Sequence, residues 1–313
     1  AAAVKQAAAS QPGWDTTPAG ERAGMLCKAA DLFESNAAEL MTLCMREAGK
    51  TLVDALAEVR EAVDFLRYYA ERARHEFAAP QAMPGPTGES NELSLHGRGV
   101  FACISPWNFP LAIFMGQVAA ALVAGNAVVA KPAEPTPRIG LHAVHLLHRA
   151  GVPPEVLHLL PCAGRVFGET ALRHAALAGV ALTGSTATAK WLQRALAERP
   201  GAILPLIAET GGINAMIVDS SALLEQVVDD VMSSAFASAG QRCSALRLLC
   251  VQEDIADELL AMIRGAMDEL VIGDPADLAT DVGPVITTAA AEKLEAYAAG
   301  MTRAGRLLHA CTL

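Results

Sequence analysis

From Phe109 to Ala130 the chain carries no charged residue, and this stretch constrains the fold more than any other. About 20 apolar residues suffice to cross a bilayer, yet Gln117 and the Gly125-Asn126 pair interrupt the run. The breaks divide it into a helix from about Leu111 to Ala124 and a strand over Ala127–Ala130. A helix that is apolar all round has to be covered by other protein. The segment therefore reads as a buried piece of a layered β-α-β fold rather than a membrane span.

The same grammar repeats from Gly99 onward. Short apolar runs at Val100–Ile104, Ala127–Ala130, Val156–Leu160 and Val180–Leu182 alternate with helical stretches after Pro110, near Pro137–Ala150, around Val166–His174 and over Thr186–Glu198. Such alternation predicts parallel strands joined by crossover helices, a doubly wound α/β sheet. Upstream, Glu21 to about Arg74 reads as helical scaffold, with Glu58, Arg60 and Glu61 on a charged face beside Val59, Val63 and Leu66. Prolines at 80, 84 and 86 preclude a helix or a central strand there and mark a linker. After Glu209 a second pattern starts: strand Asn214–Val218, helix Leu223–Ala237, a loop around Cys243, strand Leu246–Val251, and helices Ile255–Leu270 and Thr287–Ala304. Two domains are expected, over 1–208 and 209–313.

Composition narrows the class of function. A chain of 313 residues, 52% hydrophobic and 4% aromatic, can build about two aliphatic cores. A net charge of -10 without a Lys/Arg run argues against nucleic acid or an anionic membrane as partner. The seven cysteines form no C-x-x-C pair and no zinc spacing, which predicts reduced thiols in the cytoplasm. The first residues lack the apolar core of a signal peptide and read as an internal cut. His142, His145 and His148 spread over an arc of about 120° on one predicted helix and are read as ordinary helix residues, not a metal site. Asp229-Asp230 reads as a solvated helix face, and Cys103 and Cys250, inside strand runs, as core.

Chemistry concentrates in five motifs. Ile207-Ala208-Glu209-Thr210-Gly211-Gly212 holds a candidate base, and Ser238-Ala239-Gly240-Gln241-Arg242-Cys243-Ser244 holds a candidate thiol nucleophile outside any apolar run. Within Ile104-Ser105-Pro106-Trp107-Asn108-Phe109-Pro110, the Asn108 amide sits between prolines that restrict the backbone and offers an oxyanion donor that does not titrate. Lys131 and Glu134, three apart after a β-rich run, are placed to grip ribose hydroxyls. Thr183-Gly184-Ser185 leads from a strand into a helix whose N-terminal amides suit a pyrophosphate. Asn108, Lys131, Gly164 and Ser185 each fall just past a predicted strand, where doubly wound sheets bind nucleotides.

In this order the motifs resemble the aldehyde dehydrogenase superfamily, from about residue 15 to the chain's last residue. Glu209-Thr210-Gly211-Gly212 with Gly240-Gln241-Arg242-Cys243-Ser244-Ala245-Leu246-Arg247 is most similar to the glutamate semialdehyde (pyrroline-5-carboxylate) dehydrogenase module of bifunctional proline-utilisation flavoproteins. The resemblance implies a variant Rossmann NAD-binding domain plus an α/β catalytic domain, NAD as cofactor, and Gly164 and Gly168 on the adenine side. It adds Ser105, Pro106, Trp107 and Gly211 to the cofactor contacts. A homo-oligomer is expected, with a proline dehydrogenase module in the same polypeptide as a possible companion. Family catalytic domains continue past the point where this sequence stops, so a fragment with an open sheet edge is expected.

The implied reaction starts with Cys243 attacking an aldehyde, the alkoxide being held by the Asn108 amide and the Cys243 N–H. Hydride leaves for the nicotinamide, and Glu209 activates the water that hydrolyses the thioester. An ordinary thiol ionises at about pH 8.5, so a helix N-terminus or the cofactor has to favour the thiolate. Arg242 either faces the sulfur or serves the surface. Ser244 either donates to a distal substrate carboxylate or caps a turn. Glu134 should repel a 2′-phosphate and favour NAD over NADP. The alternatives are an aldehyde dehydrogenase of different substrate range, a relative that passes the acyl group to coenzyme A, and an inactive fragment.

Overall fold

The structure, a computed structural model, describes residues 1–311; the final two residues of the domain expected over 209–313 lie outside them. Two compact units emerge, one of Ala1–Glu47 with Leu56–Thr210, the other of Ala48–Ala55 with the residues from Gly211 on.

The first unit opens with helices α1 (Ala2–Thr16), α2 (Ala19–Ser35) and α3 (Ala37–Ala48), followed by α4 (Leu52–Glu76), whose opening residues belong to the second unit. Helix α1 has no counterpart among the predicted elements; it buries Val4, Ala7 and Trp14. The proline-rich stretch forms an exposed two-stranded ribbon, β1 (Gln81–Met83) against β2 (Asn91–Leu93), antiparallel. Then the alternation sets in: β3 (Val100–Ile104), α5 (Ala112–Val123), β4 (Ala127–Lys131), α6 (Pro137–Ala150), β5 (Leu157–Leu159), α7 (Gly164–Thr170), β6 (Leu177–Gly184), α8 (Thr186–Ala197) and β7 (Leu206–Thr210).

These strands make one sheet in the order β5-β4-β3-β6-β7, with every neighbouring pair parallel. The chain builds outward from β3 in one direction, then returns to add β6 and β7 on its other side. That reversal is a topological switch, and the crevice beyond the carboxyl ends at such a point is where doubly wound sheets take ligands. The fold is α/β with a parallel sheet, as the alternation predicts.

The charge-free run becomes α5 and β4, separated at Gly125, whose φ of +87° suits glycine. A Cβ there would also stand 2.3 Å from an Asp15 carboxylate oxygen. Among the described residues no helix is long and apolar enough to cross a membrane. Buried helix ends need polar partners, and the helical arm supplies them. Trp14 Nε1 donates to Leu122 O at 2.8 Å and Arg22 Nε to Val123 O at 2.9 Å at the C-terminus of α5. At its N-terminus Glu58 Oε2 accepts from the N–H groups of Leu111 and Ala112 at 3.2 and 2.8 Å. This corrects the assignment of Glu58 to a charged surface face: it is 1% exposed, because α4 turns it towards the donors that open α5. Arg60 and Glu61 are exposed.

The second unit contains β8 (Asn214–Val218), α9 (Leu224–Phe236), a 3-10 turn over Ala237–Gly240, β9 (Leu246–Val251), α10 (Glu253–Asp268) and α11 (Thr288–Arg303). β8 and β9 pair in parallel as a two-stranded sheet. Its core gathers Val218, Val227, Val228, Val231, Leu246, Leu259 and Ile263. The other sheet face is open: Ala215 and Ile217 pair with Leu248 and Cys250, all four exposed. Cys250 is therefore not core, a correction that follows from having apolar partners on one face of the pair alone. Cys103, in the central β3, is fully buried.

Candidate active site

Within the first unit, the carboxyl ends of the strands gather the motif residues predicted for cofactor and catalysis. Ser105-Pro106-Trp107-Asn108 continues from β3, Lys131 ends β4, Thr183 and Gly184 end β6, and Glu209 lies on β7. The ladder places Thr183 beside Glu209 and Gly184 beside Thr210. Ser105 and Pro106 are buried, Trp107 and Asn108 half-buried, and Glu209 exposed. Asn108 leads directly into the turn whose N–H groups Glu58 holds.

A residue noted from sequence merely as an interruption, Gln117 of α5, ties two of these ends together. Its Nε2 donates to Thr183 Oγ1 at 3.0 Å and to Ile104 O at 3.4 Å, while Ser105 Oγ donates to its Oε1 at 3.3 Å. An amide inside an apolar helix needs partners when buried, and here they are the ends of β3 and β6. That was the signal available in the sequence.

Glu134 is exposed, and its Oε1 accepts the Gly164 N–H at 2.8 Å, joining the segments after β4 and β5. Lys131 is buried, with Nζ donating to Pro132 O at 3.2 Å. Gly168 lies under Trp191 of α8, where an added Cβ would come within 2.4 Å of the indole. Ser185 is the N-cap of α8, its Oγ accepting from Thr188 N at 3.1 Å. Trp191, 43% exposed, was not singled out in the sequence.

In the second unit the thiol-bearing loop combines strain with tight backbone pinning. Ser238 and Ala239 adopt φ of 56° and 55°, and Gly240 follows at 65°. Left-handed conformations at two non-glycine residues persist where the surroundings impose them. Gln241 Nε2 donates to Ser238 O at 3.0 Å, its Oε1 accepts the Ile286 N–H at 2.9 Å, and the Arg247 guanidinium donates to Gly240 O. Beyond the thiol, Asn214 Nδ2 donates to Cys243 O at 2.8 Å and to Ala245 O at 2.9 Å. The Cys243 and Ser244 side chains are exposed, Arg242 is half-buried, and Gly211 lies exposed between β7 and β8. Asn214 and Gln241 were not assigned a role from the sequence; nothing in their spacing announces a side chain bonded to a distant backbone.

The thiols differ sharply. None of the seven cysteines is in a disulfide. Burial pushes the Cys103 thiol up to about 12, so it stays protonated and inert. Among the described residues no group of three or more His, Cys, Asp or Glu is arranged to hold a metal. Of the three spaced histidines, His142 approaches Glu39 at 3.6 Å and His148 Nδ1 lies 3.0 Å from Val152 O.

Comparison with known proteins adds three relatives and a family. A family model described as "Aldehyde dehydrogenase family" matches residues 1–311. The chain is 52% identical over 310 residues to the "Bifunctional protein PutA" of Klebsiella aerogenes, covering 98% of this chain and 23% of that protein. It is 36% identical over 300 residues to the "1-pyrroline-5-carboxylate dehydrogenase" of Geobacillus sp. (strain WCH70), covering 94% and 58%. A solved structure titled "Crystal structure of bifunctional proline utilization A (PutA) protein" superposes with a TM-score of 0.97 at 59% identity, over 99% of this chain and 32% of that one. The chain thus spans under a quarter of the first relative's length.

Proposed function

The chain belongs to the aldehyde dehydrogenase family, and on that premise we propose that it oxidises L-glutamate γ-semialdehyde to L-glutamate with NAD, as part of proline catabolism. The observation that carries the reading is an exposed thiol, Cys243, on a strained and pinned loop, in a chain similar to a named 1-pyrroline-5-carboxylate dehydrogenase over 94% of its length.

NAD(P) is the family's general cofactor, and the residues at the carboxyl ends of the sheet fit a dinucleotide. The capped start of α8 at the end of β6 supplies backbone N–H groups suited to a pyrophosphate. Glu134 and Lys131 would hold the ribose, and a carboxylate there disfavours a 2′-phosphate, which supports NAD over NADP. Gly164 and Gly168 of α7 would lie on the adenine side, and Ser105, Pro106, Trp107, Thr183, Gly184, Ser185 and Gly211 complete the proposed cofactor contacts. When bound, a nicotinamide cofactor would supply the hydride acceptor for the oxidation.

The protein's own groups do the rest. Cys243 attacks the aldehyde carbon and forms a thiohemiacetal, whose oxyanion the Asn108 amide and the Cys243 N–H stabilise. Glu209 takes a proton from the water that cleaves the later thioester, releasing the acid and the thiol. Ser244, exposed beside Cys243, donates to the substrate's distal carboxylate, and Arg242 is the second proposed substrate contact. A proline dehydrogenase module in the same polypeptide, a homo-oligomeric assembly and a cytoplasmic setting for the seven cysteines, none of them in a disulfide, complete the proposal.

The test is an assay of the full-length protein with NAD and glutamate semialdehyde, with and without coenzyme A. NADH and glutamate are expected at rates that coenzyme A does not change. An acyl-coenzyme A product would assign acyl transfer instead, and no NADH under either condition would leave a non-catalytic module.

A further inference from the structure

Asn214 belongs to no motif that the proposed reaction uses, yet one side-chain amide of its own governs the backbone on the far side of the thiol. Its Nδ2 carries two hydrogens, and the two carbonyls within reach are those of Cys243 at 2.8 Å and Ala245 at 2.9 Å. Both carbonyls are thereby turned towards the head of β8, and the Ser244 backbone between them is bracketed. The peptide that leaves Cys243 and the one that leaves Ala245 lose their freedom to rotate.

The strand pairing explains how the amide arrives there. Asn214 pairs with Leu246, but the next pair is Ala215 with Leu248, so Arg247 is an extra residue on β9. An extra residue on one strand bends it and re-aims neighbouring side chains. Arg247 is then free to reach back to Gly240 O, upstream of the thiol, while Asn214 bonds downstream of it. The irregularity in this two-stranded sheet thus serves both ends of the loop.

We propose that Asn214 is a positioning residue: by fixing the Cys243 and Ala245 carbonyls it sets the directions in which the Cys243 thiol and the Ser244 hydroxyl point. The inference rests on the proposed role of Cys243 as nucleophile and deepens it. Asn214→Asp is nearly isosteric but removes both donors and sets carboxylate oxygens against the two carbonyls. Asn214→Gln keeps the amide on a longer stem.

The experiment uses the full-length protein and three readouts: the single-turnover NADH burst with glutamate semialdehyde, the NAD dissociation constant, and the rate at which iodoacetamide labels Cys243 at pH 8, read by mass spectrometry. Losing two neutral hydrogen bonds should slow the burst about 10- to 100-fold in Asn214→Asp, with the NAD constant unchanged within twofold and Asn214→Gln recovering part of the loss. Labelling of Cys243 should change at least threefold while that of Cys27, in the first unit, stays constant. Should Asn214→Asp fold poorly, Asn214→Gln and its labelling rate decide. A burst and a labelling rate both within twofold of the unsubstituted protein in a folded variant overturn the proposal. An unsubstituted protein that makes no NADH, with Cys243 labelling still sensitive to residue 214, would instead remove the proposed reaction and leave the positioning role standing.

Discussion

The two sheets of this chain place functional side chains by opposite means. In the first unit β4 is buried along its whole length and β3 along all but its last residue. The side chains beyond their ends inherit a backbone fixed by packing and by parallel ladders on both sides. In the second unit β8 and β9 alternate, and Ile217 on the open face is 85% exposed. There the Cys243 loop is held by side chains bonded to backbone carbonyls, Asn214, Gln241 and Arg247, and by a left-handed kink. The sheet ends of the first unit are rigid because they continue from core strands; the Cys243 thiol is exposed, so other bonds supply its loop's rigidity.

The largest effect expected is on the thiol itself. Cys243→Ala should abolish aldehyde oxidation in the full-length protein while NAD binding stays nearly intact, measured by NADH formation and by NAD titration. Cys103 sharpens the contrast: with its thiol pushed up to about 12, it should resist alkylation at pH 8 under conditions that label Cys243 completely. Labelling of Cys103 in the folded protein would break the claim that the first unit's core is closed.

Next in size is the contrast in packing. Leu122, 0% exposed in α5, should cost about 2–5 kcal/mol when replaced by Ala, through lost burial and the cavity left behind. Ile217→Ala, on the open face, should stay within about 0.5 kcal/mol. Denaturant unfolding of the two variants measures the difference, and a large cost at Ile217 would mean that another part of the full-length protein covers this face. Smaller still is the effect on specificity. Ser244→Ala should lower kcat/KM for glutamate semialdehyde relative to an uncharged aldehyde of similar length by roughly 1.5–3 kcal/mol, one charge-assisted hydrogen bond. An unchanged ratio would return Ser244 to a turn-capping role.

The same contrast governs how much could be read from the sequence. The parallel sheet was legible because strands buried on both faces must be continuous apolar runs, and Val100–Ile104 and Ala127–Ala130 announce themselves. Helix α1 was not legible, since its small residues and internal Pro12 give no clear periodicity. Strand β7 was hidden because Glu209 and Thr210 read as a motif rather than as a ladder. Glu58 and Cys250 were misplaced in opposite directions, for one reason. Whether a side chain is covered depends on what packs against its element, which spacing within that element does not encode. The motif residues themselves stood out by their chemistry, whereas Gln117 and Asn214, which hold them, are recognised only through partners 66 and 29 residues away.

The measurement that tests the account most directly is stopped-flow NADH absorbance of the full-length protein with glutamate semialdehyde, with and without Glu209→Gln. If Cys243 forms a thioester that Glu209 helps to hydrolyse, the variant should release one equivalent of NADH per site at close to the normal rate and then stall. Equal losses in the burst and in the steady state would contradict that division of labour and move Glu209 to a step before hydride transfer.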